Sequence, residues 1–481
     1  MNYLVIIRII GLVLVSLAVT MLSAVAVGWW YGETDAVLAY LAATGVTLLT
    51  GGLMVLAGRG AGDTIYRREA LAIVTLSWLV GGWFGGLGLR FDGAVPTLTD
   101  GFFETISGLT TTGSSVIADL DPVSHASKWW RGMTNWLGGL GIIALFVAIF
   151  PQLGVGGKFL FQSEVAGPIN EGLKPKIRET SAILWRIYIL ITLIGIAALM
   201  LVGVDWFDSS VHTFAAIATG GFGNYNNSVN GLANPAAEYI LILIMLTGGI
   251  NFGLFYYVFK GKRNALFSNP EFHWYLGFIL ISTLAITITV FTTWSGLEKA
   301  FRDSLFTVVS IMTTTGFATA DYEKWHGFSQ LVLAMLMIVG GMAGSTGGGV
   351  KVVRVMLAVK LMIQEFYAEF RPQMVRVIRA GSQIITTETG RSVAVFFFIA
   401  LVSFWANVLF MAAMGVDLAT SLGATLACMF NIGPGFGMVG PTDNYAALPD
   451  LTKVSLSLMM ILGRLEFVTV LVLLVPDFWR R

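Results

Sequence analysis

Apolar residues run in long stretches along this chain, separated by short turns and by segments that mix apolar with small polar residues. Two such runs open it, about 3–29 and 36–58, joined by a tight turn and followed by Arg59, Arg67 and Arg68. Each reaches the roughly 20 residues that an α-helix needs to cross a bilayer core of about 30 Å. A four-part pattern then repeats four times: an apolar helix, a shorter and less apolar helix, a Gly-containing loop, and a second apolar helix. The predicted helices are about 69–89, 100–111 and 126–151 in the first unit, and 181–203, 206–217 and 235–259 in the second. The third unit has 271–294, 298–312 and 327–366, and the fourth has 391–415, 418–430 and 449–475. The middle helix of each unit is too short to span at 1.5 Å per residue, so it must re-enter. A loop at membrane depth is tolerated only where it is buried in protein or lines a water-filled cavity.

The chain therefore divides into 1–64, with two extra N-terminal spans, and four repeats at 65–155, 156–262, 263–372 and 373–481. The fold class is all-α and polytopic, with ten spans and both termini on one side. The repeat is visible in the letters: Phe103 to Gly113 and Phe306 to Gly316 align without a gap, sharing Phe, Ser and Thr-Thr-Thr-Gly. Matching the remaining loops to these gives four segments to compare: Thr111-Thr112-Gly113, Ala218-Thr219-Gly220, Thr314-Thr315-Gly316 and Asn431-Ile432-Gly433.

Composition agrees with a membrane protein. Of the 481 residues 56% are hydrophobic and 12% charged, about half the charge of a soluble domain, and the mean hydropathy is +0.78. The N-terminal run is too long for a signal-peptide core and is read as a retained helix. The one cysteine, Cys428, excludes an intrachain disulfide, and the four histidines show no ligand spacing. Of the 29 Lys and Arg residues, 20 fall on the side of the termini and seven on the side from which the short helices enter. The positive-inside rule then makes the termini cytoplasmic. Acids are biased the other way, which would draw cations to an outer mouth. Trp29, Trp30, Trp129, Trp130, Trp206 and Trp479 lie near predicted membrane edges, as interfacial anchors do.

A small cation crossing a membrane must exchange its water for fixed oxygens, and rings of backbone carbonyls provide them. Gly supplies the required dihedrals. Each loop follows a short helix whose C-terminal dipole end favours a cation. Four such loops at one interval predict an ion filter in a pseudo-four-fold arrangement around a central pore.

These loops, Leu109 to Ser115, Ile217 to Gly223, Met312 to Ala318 and Phe430 to Phe436, resemble the pore loops of the Trk/Ktr/HKT superfamily of potassium transporters, with the closest likeness to its bacterial TrkH/TrkG subunits. The resemblance covers residues 69–475 and implies potassium held near the twelve residues compared above. A glycine in all four loops implies preference for potassium over sodium, while the Asn-Ile-Gly of the fourth departs from the Thr-Gly pattern. The segment Gly340-Gly341-Met342-Ala343-Gly344-Ser345-Thr346-Gly347-Gly348-Gly349 interrupts the third unit's second apolar run. It fails the phosphate-loop pattern, since no Lys-Ser/Thr follows its last glycine. By resemblance it is an intramembrane gate below the filter. Arg464 lies within the last span, where a buried charge is costly and points to function. It resembles the arginine that this family places near the pore, as a barrier or an anchor for the loop; Glu466, two residues on, is on another face.

The resemblance further implies a bacterial inner-membrane homodimer gated by a cytosolic TrkA-type nucleotide-binding regulatory subunit, which would dock on basic segments such as Lys351–Arg379 and Lys158–Arg178. These segments also suit anionic lipid. No covalent cofactor, nucleic-acid partner or enzymatic constellation is expected, only potassium in the filter. The rival reading is a carrier coupled to protons or sodium with alternating access. Glu104 and Glu466 are its nearest intramembrane acids.

Overall fold

The computed structural model describes residues 1–60, 62, 65–141, 177–291, 296–371, 379–380, 383–384 and 387–480. Tyr3–Trp30 and Thr34–Ala57 form the N-terminal hairpin. Its helices touch where a Cβ on Gly11 would lie 2.7 Å from the Gly51 carbonyl oxygen, the close approach that small residues permit between membrane helices. Glu33, at the hairpin turn, accepts hydrogen bonds from the His125 and Ala126 amides at 2.8 and 3.2 Å. A carboxylate at the N-terminus of helix His125–Gly139 is favoured by that helix's dipole, and it ties the hairpin to the first repeat.

Each unit has a leading helix, a short helix and a trailing helix. The leading helices are Arg67–Phe91, Ile177–Leu201, Pro270–Phe291 and Thr387–Ala413. The short helices are Leu98–Leu109, Trp206–Ala218, Leu297–Met312 and Leu418–Met429, and the trailing helices are His125–Gly139, Pro235–Gly248, Gly327–Val339 and Asp450–Arg464. Three short helices start on side-chain caps visible in the sequence. Thr97 accepts from the Asp100 amide, Asp205 from those of Phe207 and Asp208, and Asp417 from that of Thr420. Such a cap contributes about 0.5–2 kcal/mol. Outside the helices, Arg379–Ala380 and Gln383–Ile384 pair as a two-residue antiparallel ladder, Arg379 opposite Ile384.

Six described helices are long and apolar enough to cross a membrane: the hairpin pair and the four leading helices. The second and fourth trailing helices add a span each if taken with the helix that follows their bend. The first trailing helix runs toward residues outside the described ones, so the full expected length 126–151 is not covered, nor is the basic segment 158–176.

The second and fourth trailing helices bend where straight spans were expected, while the third breaks at its glycine string as the sequence implied. Pro235–Gly248 turns by 96° into Phe252–Phe259, and Asp450–Arg464 turns by 114° into Val468–Leu474. Gly327–Val339 gives way to the non-helical 340–351 before Val352–Phe370 begins. Around the second and fourth breaks the apolar run resumes within a few residues, so hydropathy conceals them. The breaks lie at equivalent places, after Gly138-Gly139, Gly248-Gly249, Gly340 and Gly463-Arg464. An apolar residue follows each pair, and one also precedes it in the first and fourth units, as in Leu137-Gly-Gly-Leu140 and Leu462-Gly-Arg-Leu465. In the first, second and fourth units the first glycine presses its helix against the C-terminal end of a short helix. A Cβ would meet the Leu109 carbonyl oxygen at 1.9 Å from Gly138, that of Ile217 at 2.8 Å from Gly248, and that of Met429 at 1.9 Å from Gly463.

Candidate functional site

All four short helices end alike. The Thr111 amide bonds the Gly108 carbonyl, and the Thr112 amide reaches back to Ser107 at 2.8 Å. Thr219 and Gly220, Thr314 and Thr315, and Asn431 and Ile432 repeat this pair of bonds, which is the Schellman termination. It needs one residue in the left-handed region, and Thr111, Thr219, Thr314 and Asn431 have φ of 54°, 55°, 60° and 57°. Glycine usually fills that place. Threonine there is an outlier costing of order 1–3 kcal/mol, whereas asparagine tolerates it. The fourth loop's departure from threonine thus keeps the backbone and relaxes the strain.

Two residues further on, Gly113, Gly221, Gly316 and Gly433 have φ of 84°, 74°, 83° and 104°. This corrects the register expected for the second loop. Its equivalent triplet is Thr219-Gly220-Gly221, so Gly221 corresponds to Gly113, and Ala218 is the last residue of the helix. Matching the first glycine of the Gly-Gly pair places that loop one residue early, because the left-handed φ belongs to the second.

The loops close into a ring. A Cβ on Gly113 would meet the Gly220 carbonyl oxygen at 2.4 Å; on Gly221, that of Thr315 at 2.0 Å; on Gly316, that of Ile432 at 1.9 Å; and on Gly433, that of Thr112 at 2.7 Å. Each unit touches the next, and the fourth returns to the first. The four carbonyls preceding the glycines stand at one level, with no room for a side chain.

Above the ring is a cavity of about 150 Å³ lined by all four glycines together with Ser115, Arg131, Asn226 and Tyr445 among others. Its walls are cross-tied. Arg131 pairs with Glu104 at 2.7 Å, both buried, and donates to the Gly223 carbonyl at 3.0 Å. Glu104 accepts from the Val116 amide at 2.8 Å, and Tyr445 Oη donates to the Gly433 carbonyl at 2.8 Å. Arg131 and Lys453, counted by sequence among the outer cations, are internal; Lys453 pairs with Asp100 at 2.7 Å.

Beneath the ring lies the glycine-rich loop. The Gly348 amide donates to Thr314 Oγ1 at 2.6 Å, and the Gly349 amide to the Phe430 carbonyl at 3.0 Å. Thr346 Oγ1 donates to the carbonyls of Ile217 and Gly248 at 2.9 and 3.0 Å and lies 3.3 Å from Thr219 Oγ1. Gly341 packs against Gly249, Gly344 accepts from the Phe252 amide at 3.0 Å, and Ser345 closes on the Met342 carbonyl. Gly347 packs against the Thr313 carbonyl, and a Cβ on Gly340 would strike Gly348. Arg464 links this loop to the ring. It donates to the Thr346 carbonyl at 2.6 Å, to those of Gly138 and Gly139 at 2.6 and 2.8 Å, and to Thr111 Oγ1 at 3.1 Å. The structure thus brings eleven of the twelve compared residues and the glycine-rich loop into one column with Arg464 at its inner end, while Ala218 belongs to the helix that precedes its loop.

Sequence reasoning missed two members of this column and the partner of a third. Glu271 accepts from the Ala343 and Val353 amides at 2.8 and 3.1 Å, clasping both ends of the loop. Lys351, buried at φ 79°, donates to the Gly347 carbonyl. Glu466 pairs with Arg354 at 2.5 Å. The signal for the inner end was the repeated Gly-Gly pair, in which Arg464 replaces the second glycine.

A family model described as TrkH, cation transport protein, matches residues 41–481. The chain belongs to the TrkH family. It is 36% identical to the Trk system potassium uptake protein TrkH of Halomonas elongata over 99% of both chains, and 35% identical to that of Escherichia coli (strain K12) over all of both. The crystal structure of the potassium transporter TrkH from Vibrio parahaemolyticus superposes with a TM-score of 0.89 at 33% identity, covering both chains completely. As a TrkH-family chain it is a multi-pass membrane transporter and not an enzyme. Its all-helical fold, read from hydropathy and repeats, is that of the Vibrio protein.

Proposed function

We propose that this chain conducts potassium across the bacterial inner membrane, through the four-loop ring as selectivity filter. The observation that carries this reading is the cyclic contact of Gly113, Gly221, Gly316 and Gly433 with the carbonyls of the next loop. Four converging carbonyls offer an entering cation fixed oxygens in exchange for water. The filter comprises Thr111, Thr112 and Gly113; Thr219, Gly220 and Gly221; Thr314, Thr315 and Gly316; and Asn431, Ile432 and Gly433. The loop 340–349, tied by Arg464, acts as the gate: its bonds to the ends of the short helices hold it across the path. A cytosolic nucleotide-binding subunit would open it, with both termini cytoplasmic and the chain a homodimer. The names of the relatives support potassium as the cargo.

The coupled-carrier reading loses its candidate acids, since Glu104 and Glu466 are held in ion pairs with Arg131 and Arg354. The test is flux in liposomes holding the purified chain under a potassium gradient alone. Flux down that gradient, weakened in its potassium preference by Gly113→Ser, supports the pore. Flux that waits for an added proton or sodium gradient overturns it in favour of the carrier.

A further inference from the structure

The four loops differ in what stands behind the ring. Thr112 Oγ1 bonds Thr110 Oγ1 at 2.7 Å, and Thr315 Oγ1 bonds Thr313 Oγ1 at 2.8 Å. In the second loop the corresponding residues are Ala218 and Gly220, and neither carries a hydroxyl. A Cβ added to Gly220 would fall 2.5 Å from Asn135 Cγ and 2.7 Å from both of its amide heavy atoms. The place of the missing side chain is therefore filled by Asn135, from the trailing helix of the preceding unit. Asn135 is wholly buried, and among the described residues neither Oδ1 nor Nδ2 has a hydrogen-bond partner. The corresponding residues of the other trailing helices, counted back from their Gly pairs, are Met245, Met337 and Met460, all buried. One polar amide at an otherwise apolar position, against the one loop that lacks both hydroxyl and Cβ, is a complementary exchange between two units.

We infer that Asn135 is a positioning residue of the filter, supplying from outside the second loop the polar side group that Gly220 lacks. A buried amide left without partners is costly, so an apolar residue would be preferred if packing alone mattered. Gly220 has no side chain to restrict its peptide, yet its carbonyl stands against Gly113 in the ring. Asn135 walls that peptide on its outer side and offers it a donor and an acceptor. Removing the group frees one carbonyl of the ring, which relaxes the discrimination between cations of different size without closing the path.

The inference rests on reading the loops as a filter, and the experiment separates the two. Potassium and sodium flux is measured in liposomes for the wild type, Asn135→Ala, Asn135→Leu, and the double variant Asn135→Ala with Gly220→Thr. If the wild type shows no potassium preference, the filter reading itself fails. With a selective wild type, Asn135→Ala and Asn135→Leu should each lower the potassium-to-sodium flux ratio roughly fivefold, or about 1 kcal/mol of discrimination. The double variant should recover most of that ratio, because Gly220 has no positive φ and accepts threonine once the amide is gone. Recovery cannot come from general destabilisation. An unchanged ratio in Asn135→Leu, or no recovery in a double variant that elutes and melts like the wild type, overturns the assignment.

Discussion

At the scale of single residues, the site is defined by backbone conformation more than by side-chain type. Thr111, Thr219, Thr314 and Asn431 share one left-handed φ, and the glycines two places on share another. This ties function to dihedral angles that the letters only partly encode. Where Thr-Thr-Thr-Gly recurs, the register was legible; where Ala-Thr-Gly-Gly stands in its place, two glycines compete and the letters cannot choose. A pair of variants decides between the registers. Ala218→Gly should leave potassium preference near wild type, since Ala218 is helical. Gly221→Ala should abolish the preference, because its Cβ would lie 2.0 Å from the Thr315 carbonyl oxygen at φ 74°. Ion-selectivity measurements on both check this.

At the scale of elements, hydropathy located the helices well and the breaks poorly. A bent helix and a straight one can share an apolar run, and only the repeated Gly-Gly pairs mark where the trailing helices stop. The glycine string at 340–349 was legible because it is long, whereas its anchors were not. Glu271 lies about 70 residues away in sequence, and no local pattern connects it to the loop. Two amides converge on its carboxylate, one from the loop and one from the start of Val352–Phe370. Bonds to a charged acceptor contribute about 1.5–3 kcal/mol each. Glu271→Gln keeps the shape and weakens both, so flux in liposomes holding the chain alone should rise, roughly tenfold for about 1.4 kcal/mol lost from the loop's anchored state. Arg464→Ala, which releases Thr346, should act in the same direction. Flux at the wild-type level in both variants would remove the loop from the gating role.

At the scale of the whole molecule, the sidedness read from charge can be tested with introduced thiols, because the one native thiol is silent. Cys428 is fully buried beside Ser114 and should resist a membrane-impermeant maleimide in the folded protein. Lys262→Cys and Asp443→Cys put a thiol on exposed positions at opposite ends of the fold. Labelling of Asp443→Cys from outside and of Lys262→Cys only in inverted vesicles is the expected result, and the reverse pattern would invert the topology.

The ring's cyclic contact has a further meaning for how such a molecule can change. In a pore of four identical chains, any substitution enters four times. A strain of about 1–3 kcal/mol per copy would then approach the whole 5–15 kcal/mol by which a folded domain exceeds its unfolded state. Here the four quarters are written separately in one chain. Asn431, Arg464 and Asn135 are each exceptions made in a single quarter. A covalently joined ring can acquire a lock, a relaxed corner or a borrowed side group one at a time, and so explore asymmetric variants that a symmetric assembly of equal subunits never samples.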